Sequence, residues 1–459
     1  MDMTAQRQET TKNKLIPLTI TGQTSDGSGI ARHDGLAVFV QGAMPGDIIV
    51  GRVLKVNKTI AYAKIEELVT PSPDRIQPDC PVFAQCGGCA LRHMRYEAEL
   101  AFKQERVESA LARIGGIMAA VDPVAGAADQ MRYRNKAQFP VRLQEGRAKI
   151  GFFAPHSHRV IECDDCLLHP AEFSAVIRIF RAYMDKHQIP AYDEQTHTGL
   201  LRGIYLRKAF ATGELMVCAV INGKQLPKAQ ALIEALKTVP GFITLVLNIN
   251  KQPGNTLLGR RCQTLHGPGV ITDALCGLRF QLSPLSFYQV NHDQTERLYA
   301  IAGEYAQPAG AALLDLYCGT GTIGLSMAQE AREVIGVEMI PGAVEDAGRN
   351  AALNGIGNAR FLCADATEAA KRLAGEGIVP DVVMLDPPRK GCDAALLRLI
   401  AGQINPKRVL YVSCDPATLA RDLKLLAQLG YETKRVTPVD FFPRTLHVEC
   451  VALLEPVER

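Results

Sequence analysis

Thirteen cysteines supply the most reactive side chains of this 459-residue chain. The first 14 residues, MDMTAQRQETTKNK, lack the apolar run of a secretory signal. We therefore expect a reducing, cytoplasmic setting, in which cysteines act as nucleophiles, metal ligands or core thiols. Cys414, in the stretch YVSCDPATLARD, follows an apolar run that is typical of a strand. A thiolate there can attack an electrophilic carbon, and a buried structural thiol is the competing interpretation.

Polar residues follow five apolar segments in the C-terminal part of the chain. The predicted strands are 311–316, 333–337, 360–363, 381–385 and 408–412, and the polar residues at their ends are Asp315, Glu338, Asp365, Asp386 and Cys414. Helix-like stretches separate the strands, which predicts an open, mostly parallel, doubly wound α/β sheet. Ligands bind outside the carboxyl ends of such strands, so these side chains are expected at one binding edge.

A glycine turn, Gly319-Thr320-Gly321, follows the first of these strands. It lacks the G-x-G-x-x-G spacing and has no lysine for a triphosphate, which excludes a Walker loop. Glu338 lies 23 residues after Asp315, where a carboxylate can accept hydrogen bonds from both ribose hydroxyls. Together with Asp365 and the Asp386-Pro387-Pro388 turn, the pattern resembles class I S-adenosylmethionine (SAM) methyltransferases. A nicotinamide enzyme is the alternative, for which the fuller dinucleotide fingerprint is expected.

Two further residues bear on the atom that is methylated. Arg389 follows the double proline. Methylases that act on the amino groups of nucleobases typically have an aromatic residue at this position. The arginine therefore argues against an exocyclic nitrogen as the methylated atom. Carbon 5 of uracil is a poor nucleophile until a thiolate adds to carbon 6, and a base must later remove the carbon-5 proton. Glu449, in the stretch HVEC, is the candidate base. A solvated edge carboxylate is the alternative interpretation of Glu449.

Five motifs resemble, in their order, those of the RNA uracil-5-methyltransferase family. They are SPLSFYQVN from Ser283, DLYCGTGTIGL from Asp315, LDPPRKG from Leu385, YVSCDPATLARD from Tyr411 and HVEC from His447. The best-matched branch is the ribosomal RNA type, with a TRAM domain and an iron–sulfur centre. The resemblance implies that Cys414 is the nucleophile and Glu449 the base. The SAM contacts that it implies are Gln289, Tyr317, Thr322, Glu338, Asp365 and Asp386. Asp415 stands where the family usually has Asn, and a carboxylate there would tend to raise the pKa of the Cys414 thiol.

A second group of cysteines, Cys80, Cys86 and Cys89, lies in the stretch CPVFAQCGGC. With a fourth thiol they can hold either zinc or a [4Fe–4S] cluster. The spacing favours the cluster modestly, because a zinc knuckle usually has two close pairs. The family resemblance implies a [4Fe–4S] cluster with Cys166 as the remote ligand, and Cys163 is its rival. We expect the cluster to stabilise the fold and to position RNA, because methyl transfer involves no net gain or loss of electrons.

Two regions indicate an RNA partner. Residues 14–70 alternate short apolar runs with Gly and Pro turns, which predicts a small OB-like β-barrel and resembles the RNA-binding TRAM domain. Residues 131–160 contain seven Lys or Arg against one Glu, interleaved with Tyr133, Phe139, Phe152 and Phe153, although the net charge of the chain is only +3. Cations contact phosphates and aromatic faces stack on unpaired bases. A solvated strand face with its aromatic residues in the core is the alternative.

The predicted multi-domain organisation has four segments. They are a tail at 1–13, a TRAM barrel at 14–70, an iron–sulfur loop with a central RNA-binding α+β domain at 71–285, and a methyltransferase domain at 286–459. We expect a monomer that makes 5-methyluridine in folded RNA, with 23S ribosomal RNA as the substrate. No apolar run approaches the length of a bilayer span, so no membrane partner is expected.

Three alternatives remain at this point. A transfer RNA uracil methylase would usually lack the TRAM segment and the cysteine group. A cytosine-5 RNA methylase would normally have Cys after Pro in the fourth-strand turn. The third is a non-catalytic RNA-binding assembly factor with a vestigial methylase fold.

Overall fold

The computed structural model describes residues 10–254 and 256–457, so residues 1–9 of the predicted tail lie outside it. The chain divides into two compact units. The N-terminal unit runs to Arg106 and includes Arg444–Leu446, and the larger unit comprises Val107–Pro443 and the chain from His447 onward.

The N-terminal unit contains a six-stranded, barrel-like sheet. Its strands are β1 (Leu15–Thr19), β2 (Gly22–Gln23), β3 (Gly29–His33), β4 (Leu36–Gln41), β5 (Ile48–Val56) and β6 (Ile60–Thr70), in the order β1-β5-β6-β4-β3-β2. Ile16 and Leu18 of β1 are buried while their neighbours along the strand are exposed, as the two-residue period of a strand requires. A Cβ atom on Gly29 would lie 2.8 Å from Ile20 and 2.9 Å from Ala43, so glycine allows the sheet to curve there. The predicted all-β segment is confirmed.

A helix follows the six-stranded sheet along the chain. Helix α1 spans Tyr96–Ala110 and is followed by a π-helical turn at Leu111–Gly115 and by strand β7 (Ala120–Val121). Lys103 and Glu99 form an ion pair of 2.8 Å with both side chains fully buried. Because the pair is one helical turn apart, the two charges satisfy each other inside the N-terminal unit.

The larger unit begins with a seven-stranded sheet. Its strands are β8 (Lys136–Gln144), β9 (Arg147–Phe153), β10 (Val160–Glu162), β11 (Leu201–Lys208), β12 (Leu215–Ile221), β13 (Phe242–Ile249) and β14 (Arg261–His266), in the order β10-β9-β8-β11-β12-β13-β14. Helices α2 (Ala171–His187) and α3 (Ala229–Leu236) pack on it and contribute to one apolar core. All pairs except β12–β13 are antiparallel, which is an α+β arrangement. A hairpin follows, β15 (Ile271–Leu275) with β16 (Leu278–Leu282).

An eight-stranded sheet forms the C-terminal part of the larger unit. Its further strands are β17 (Ala312–Leu316), β18 (Glu333–Glu338), β19 (Ala359–Cys363), β20 (Val382–Leu385), β21 (Arg408–Ser413), β22 (Tyr431–Val439) and β23 (Glu449–Pro456), in the order β19-β18-β17-β20-β21-β23-β22-β7. The first five are parallel, and β23 is antiparallel to both β21 and β22. The predicted doubly wound, mostly parallel sheet is confirmed.

The helices around this sheet connect its strands. They are α4 (His292–Ala306), α5 (Thr322–Met327), α6 (Pro341–Leu353), α7 (Ala366–Gly375), α8 (Ala394–Leu399) and α9 (Pro416–Gln428). Their apolar faces fill two cores, one on each side of the sheet. The carboxyl ends of β17, β18, β20 and β21 therefore meet at one edge.

Candidate active site

Cys414 lies directly after β21, at the carboxyl edge of the sheet. The residue is half-buried. Burial and the Glu449 carboxylate raise the pKa of its thiol to about 11, while Arg389 acts in the opposite direction. Because only the thiolate is nucleophilic, the resting thiol needs additional positive charge nearby before it can react.

Asp415 caps helix α9. One of its carboxylate oxygens, Oδ1, accepts hydrogen bonds from the backbone N–H groups of Ala417 and Thr418, at 2.9 and 3.0 Å. Asp and Asn are equally good residues at this position, and a carboxylate is favoured at the positive end of a helix. The carboxylate is thus occupied by the helix, and the side chains that shift the Cys414 pKa are Glu449, Arg389 and Asp386. Asp415 is therefore paired and is not among the groups that raise the pKa of the Cys414 thiol.

Glu449 is the first residue of β23 and is 7 % exposed. It pairs with Val439 of β22, and β23 lies between β21 and β22, so the edge-carboxylate interpretation is wrong. Ser413 pairs with Cys450, which brings Cys414 and Glu449 to facing positions of neighbouring strands. Burial and Asp386 raise the pKa of Glu449 to about 8, and Arg389 lowers it. A carboxyl group whose pKa lies near the working pH can both accept and release a proton.

Arg389 is the cation of the site. It follows β20, and its Nη2 donates a hydrogen bond to Nε2 of His447 at 3.2 Å. The edge of the His447 ring meets Phe442, at a centroid separation of 5.7 Å. The contact with Phe442 therefore holds in place the His447 ring to which the Arg389 guanidinium donates. From the sequence, Arg389 only argued against an exocyclic nitrogen as the methylated atom. Its electrostatic role was missed, because its partner His447 lies 58 residues further along the chain.

Three acids lie at the edge where the cofactor was predicted. Asp315 is 1 % exposed, and burial, Asp386 and Glu338 raise its pKa to about 8. Burial also raises the pKa of Asp386 to about 7. Like charges held close together in a desolvated site resist ionisation. A bound cation, such as a sulfonium or an ammonium group, would relieve that repulsion.

The glycine turn after β17 brings the backbone to Glu338. Tyr317, Gly319 and Gly321 have φ values of 69°, 55° and 81°, a region that is costly for a tyrosine. The N–H groups of Gly319 and Ile340 donate to the two carboxylate oxygens of Glu338, at 3.3 and 2.8 Å. The turn thereby fixes the orientation of the acid that was predicted to bind ribose.

The other predicted SAM contacts lie at the same edge, and each has a partner within the protein. Thr322 begins α5, with its hydroxyl 2.6 Å from that of Tyr299. Asp365 caps α7 by accepting from the backbone N–H groups of Thr367 and Glu368. Burial and the neighbouring Cys392 thiol raise the pKa of Tyr317. Direct contact of these residues with SAM stays a prediction.

Gln289 is held by Asn135, a residue of the basic stretch 131–160 for which no individual role was predicted. Asn135 is 1 % exposed. Its Nδ2 donates to the carbonyl oxygen of Gln289, and its backbone N–H donates to that of Val290, both at 2.8 Å. No local signal could reveal this, because the two segments are 154 residues apart.

The predicted cysteine cluster is not assembled as a metal site among the residues that the structure describes: no three His, Cys, Asp or Glu side chains are grouped to hold an ion. Cys80, Cys86 and Cys89 lie in the N-terminal unit and are partly buried. Burial raises the pKa of Cys86, and the nearby Cys80 thiol adds to this. Cys166 belongs to the larger unit, where its carbonyl oxygen accepts a hydrogen bond from Arg132. The [4Fe–4S] cluster stays a prediction.

The basic stretch at 131–160 is less uniform than its composition suggests. Four of its cations form ion pairs, namely Arg132 with Asp165, Arg142 with Glu194, Arg147 with Glu162 and Lys149 with Glu145. Tyr133 and Phe139 are 5 % and 3 % exposed, so part of the aromatic set belongs to the core. Arg134, by contrast, stacks over Phe442, 5.9 Å from the ring centroid. Four of the seven cations of the stretch are thus paired with acids of the protein.

A doubly wound sheet of this strand order, with a glycine turn and acids at its carboxyl edge, defines a class I SAM-dependent methyltransferase. Residues 276–457 match the family model described as tRNA (Uracil-5-)-methyltransferase, and residues 9–65 match the TRAM domain. An RNA methyltransferase of Halalkalibacterium halodurans is 44 % identical, with 99 % of each chain covered. One of Clostridium tetani is 42 % identical, with 96 % of each chain covered. The chain therefore belongs to the RNA uracil-5-methyltransferase family and is a SAM-dependent RNA methyltransferase.

A solved structure resembles nearly the whole chain. The Pyrococcus abyssi tRNA (uracil-54, C5)-methyltransferase, in complex with S-adenosyl-L-homocysteine, has a TM-score of 0.77 and is 27 % identical, covering 96 % of this chain and 100 % of its own. Since a tRNA enzyme matches the chain over such a length, the presence of an N-terminal segment does not separate tRNA from ribosomal RNA enzymes. Among the described residues, no helix is long and apolar enough to cross a membrane.

Proposed function

We propose that this enzyme makes 5-methyluridine through a covalent bond between Cys414 and carbon 6 of the target uridine. The observation that carries the proposal is the pairing of β21 with β23, which brings a half-buried thiol opposite a buried carboxyl group of raised pKa. Methylation of an amino group needs no such thiol. Carbon-5 methylation needs both a nucleophile and a base.

Cys414 and Glu449 act in separate steps of the proposed reaction. The Cys414 thiol loses its proton to solvent, and the thiolate forms a bond to carbon 6, so that the electron pair of the C5=C6 double bond moves onto carbon 5 and O4. When bound, SAM would supply the methyl group: the methyl–sulfur bond would break as carbon 5 bonds to the methyl group, and the sulfur would leave as a neutral thioether. Glu449 then accepts the carbon-5 proton, the electrons of that C–H bond restore the double bond, and Cys414 leaves as a thiolate.

Charge at the site supports this order of events. The acids Asp315, Glu338 and Asp386 attract a cationic cofactor, and positive charge close to a thiol lowers its pKa. Arg389 already lowers the pKa of both Cys414 and Glu449. Binding of the cofactor is therefore expected to precede formation of the thiolate. We propose Gln289, Tyr317, Thr322, Glu338, Asp365 and Asp386 as the SAM contacts.

RNA that carries 5-fluorouridine tests the mechanism, because fluorine cannot leave as a proton and the adduct persists. Wild-type enzyme with SAM should form an adduct that survives denaturing electrophoresis. Cys414→Ala should abolish the adduct, whereas Cys363→Ala, which changes an exposed cysteine at the end of β19, should keep it. No adduct with wild type, or an equal adduct with Cys414→Ala, would reject the proposal.

The substrate that we propose is 23S ribosomal RNA. The resemblance of the cysteine group to that of the ribosomal RNA type supports it, because transfer RNA enzymes of the family usually lack such a group. The likeness to the P. abyssi tRNA enzyme favours tRNA as the second candidate. Mapping of 5-methyluridine in ribosomal and transfer RNA from cells with and without the gene decides between them, because the site that disappears identifies the substrate.

We also propose a [4Fe–4S] cluster held by Cys80, Cys86, Cys89 and Cys166. The interaction of the Cys80 and Cys86 thiols and the soft sulfur donors suit it, and no step of methyl transfer involves it. Protein purified without air should contain iron and sulfide, and Cys166→Ser should lose them while Cys163→Ser retains them. Stoichiometric zinc without sulfide would contradict the cluster.

The remaining proposals concern domains and setting. Residues 14–70, 71–285 and 286–459 are proposed to act as TRAM barrel, central RNA-binding region and methyltransferase domain, in a cytoplasmic monomer. Light scattering during gel filtration should give a mass close to the 49.9 kDa of one chain.

A further inference from the structure

A cavity of about 450 Å³ opens between the chain around 127–133 and the start of helix α4. Neither Cys414 nor Glu449 lines it. One of its lining residues, Asn291, lies two residues after Gln289, and its Nδ2 donates to the carbonyl oxygen of Phe441 at 3.1 Å. The cavity is named here the side cavity and is distinct from the catalytic site.

Aromatic rings form one side of the side cavity. Phe210 and His292 both line it, and their rings lie within 11° of parallel with centroids 6.4 Å apart. His292 is fixed at both nitrogens, since Nε2 donates to the carbonyl oxygen of Ala274 at 2.8 Å and Nδ1 donates to Asp293 at 3.0 Å. Burial alone would lower the pKa of His292, but these hydrogen bonds raise it. A flat ring that is fixed at both nitrogens and lies parallel to a phenyl ring is a good stacking surface for a base.

The charged groups of the side cavity are balanced. Arg132, together with His292 when its ring is protonated, is offset by Asp129 and Asp293. Arg132 is held by Asp165 and by the carbonyl oxygen of His169, at 2.6 and 2.9 Å. A balanced lining does not favour a phosphate, which prefers a surplus of positive charge. The exposed carboxylates of Asp129 and Asp293 are instead hydrogen-bond acceptors of the kind that recognise amino groups of bases.

We propose that the side cavity binds a second, unmethylated base of the same RNA, one that carries an exocyclic amino group. This inference rests on the proposed function, because it assumes that a nearby uridine enters the catalytic site. Extruding one nucleotide from folded RNA disturbs the stacking of its neighbours, and capture of a second base would hold the opened RNA in place. Phe210 and His292 stack on the base, and Asp129 or Asp293 accepts from its amino group.

The test uses an RNA fragment that contains the methylated uridine, together with versions in which each other nucleotide in turn is abasic. With wild-type enzyme, one abasic position should weaken binding by about tenfold, as expected for loss of one stacked base. With Phe210→Ala, and independently with the double variant Asp129→Asn/Asp293→Asn, the same abasic change should cost less than about twofold. Asp185→Asn, an exposed acid on α2, should behave like wild type.

The possible outcomes separate this inference from the proposed function. If wild type methylates the fragment but the abasic and cavity changes weaken binding independently, or if every abasic change is neutral, the side cavity holds no base. If wild type makes no 5-methyluridine in any RNA, the proposed function fails and this inference fails with it. Cofactor affinity of each variant, measured by calorimetry, should equal that of wild type. Loss of cofactor affinity would show that the variants disturb the catalytic site, which would contradict a separate base site.

Discussion

Cys414 and Glu449 face each other across neighbouring strands, and the buried carboxylate raises the pKa of the thiol. The two groups therefore oppose each other's ionisation, although the proposed reaction uses both as anions. A thiolate that is rare in the resting enzyme avoids needless oxidation or alkylation. The cation that makes it available is then the cofactor, together with Arg389.

The first prediction concerns pH. Glu449 has a raised pKa of about 8 and Cys414 one of about 11. Both acids must lose a proton before they can act, so kcat/KM should rise as the pH increases from 6 to 9. The measurement is tritium transfer from labelled SAM across that range. Glu449→Gln should lower turnover by about 10² to 10⁴-fold and accumulate the covalent adduct. A flat wild-type profile would contradict the assignment.

The second prediction concerns Arg389, which lowers the pKa of both reactive groups. Replacing it by Gln should move the pH profile to higher values, so that activity at pH 7.5 falls about tenfold for each pKa unit of the shift and recovers in part at pH 9. Lys390→Gln, a change of the adjacent exposed cation, should leave the profile in place. A loss of activity in Arg389→Gln that is equal at every pH would indicate a structural role only.

The third prediction concerns Asp415, whose carboxylate caps α9. Asp415→Asn should leave the rate unchanged, because the amide oxygen can accept the same hydrogen bonds. Asp415→Ala should reduce the free energy of unfolding by about 1 kcal/mol through loss of the cap. Urea unfolding and the single-turnover rate measure the two effects. A marked rate increase in Asp415→Asn would revive the idea that this carboxylate weakens the nucleophile.

The sequence predicted most of the fold, because apolar periodicity and glycine turns are local. Its five strand ends correctly placed Asp315, Glu338, Asp386 and Cys414 at one edge, since parallel strands must align their carboxyl ends. The roles of Arg389 and Asn135 could not be found in this way. Both depend on partners brought near only by folding, 58 and 154 residues away. The composition of residues 131–160 likewise suggested more unpaired positive charge than the structure has, because four of the cations form ion pairs.

The fourth prediction concerns the effect of the buried acid Asp315, beside Asp386 and Glu338, on the free energy of unfolding. Burial, Asp386 and Glu338 raise the pKa of Asp315 to about 8, so its contribution to stability is full below the unfolded pKa near 4 and is lost as the pH rises through 8. Asp315→Asn should therefore gain stability relative to wild type between pH 6 and pH 9, by at least the roughly 1.4 kcal/mol of one pKa unit. Thermal unfolding at the two pH values measures this.

A matched control for Asp315 lies at the other end of β17. Asp381 accepts a hydrogen bond from the backbone N–H of Ala312 and pairs with Lys407, and these contacts lower its pKa. Stability from Asp381 is present above its unfolded pKa, so Asp381→Asn should destabilise equally at pH 6 and pH 9. If both variants respond to pH alike, the electrostatic account of the acidic edge is wrong.

The fifth prediction concerns Asn135, which holds the segment containing Gln289 through its side chain and its backbone. Asn135→Ala removes the hydrogen bond to the Gln289 carbonyl and should raise the KM for SAM by about tenfold, equivalent to one buried hydrogen bond, with a smaller change in kcat. Asn135→Asp should be worse, because a carboxylate cannot donate to a carbonyl oxygen. Asn248 is an equally buried control that bonds to Gly259, and Asn248→Ala should reduce stability without changing KM. If Asn135→Ala lowers only stability, Asn135 does not position the cofactor segment.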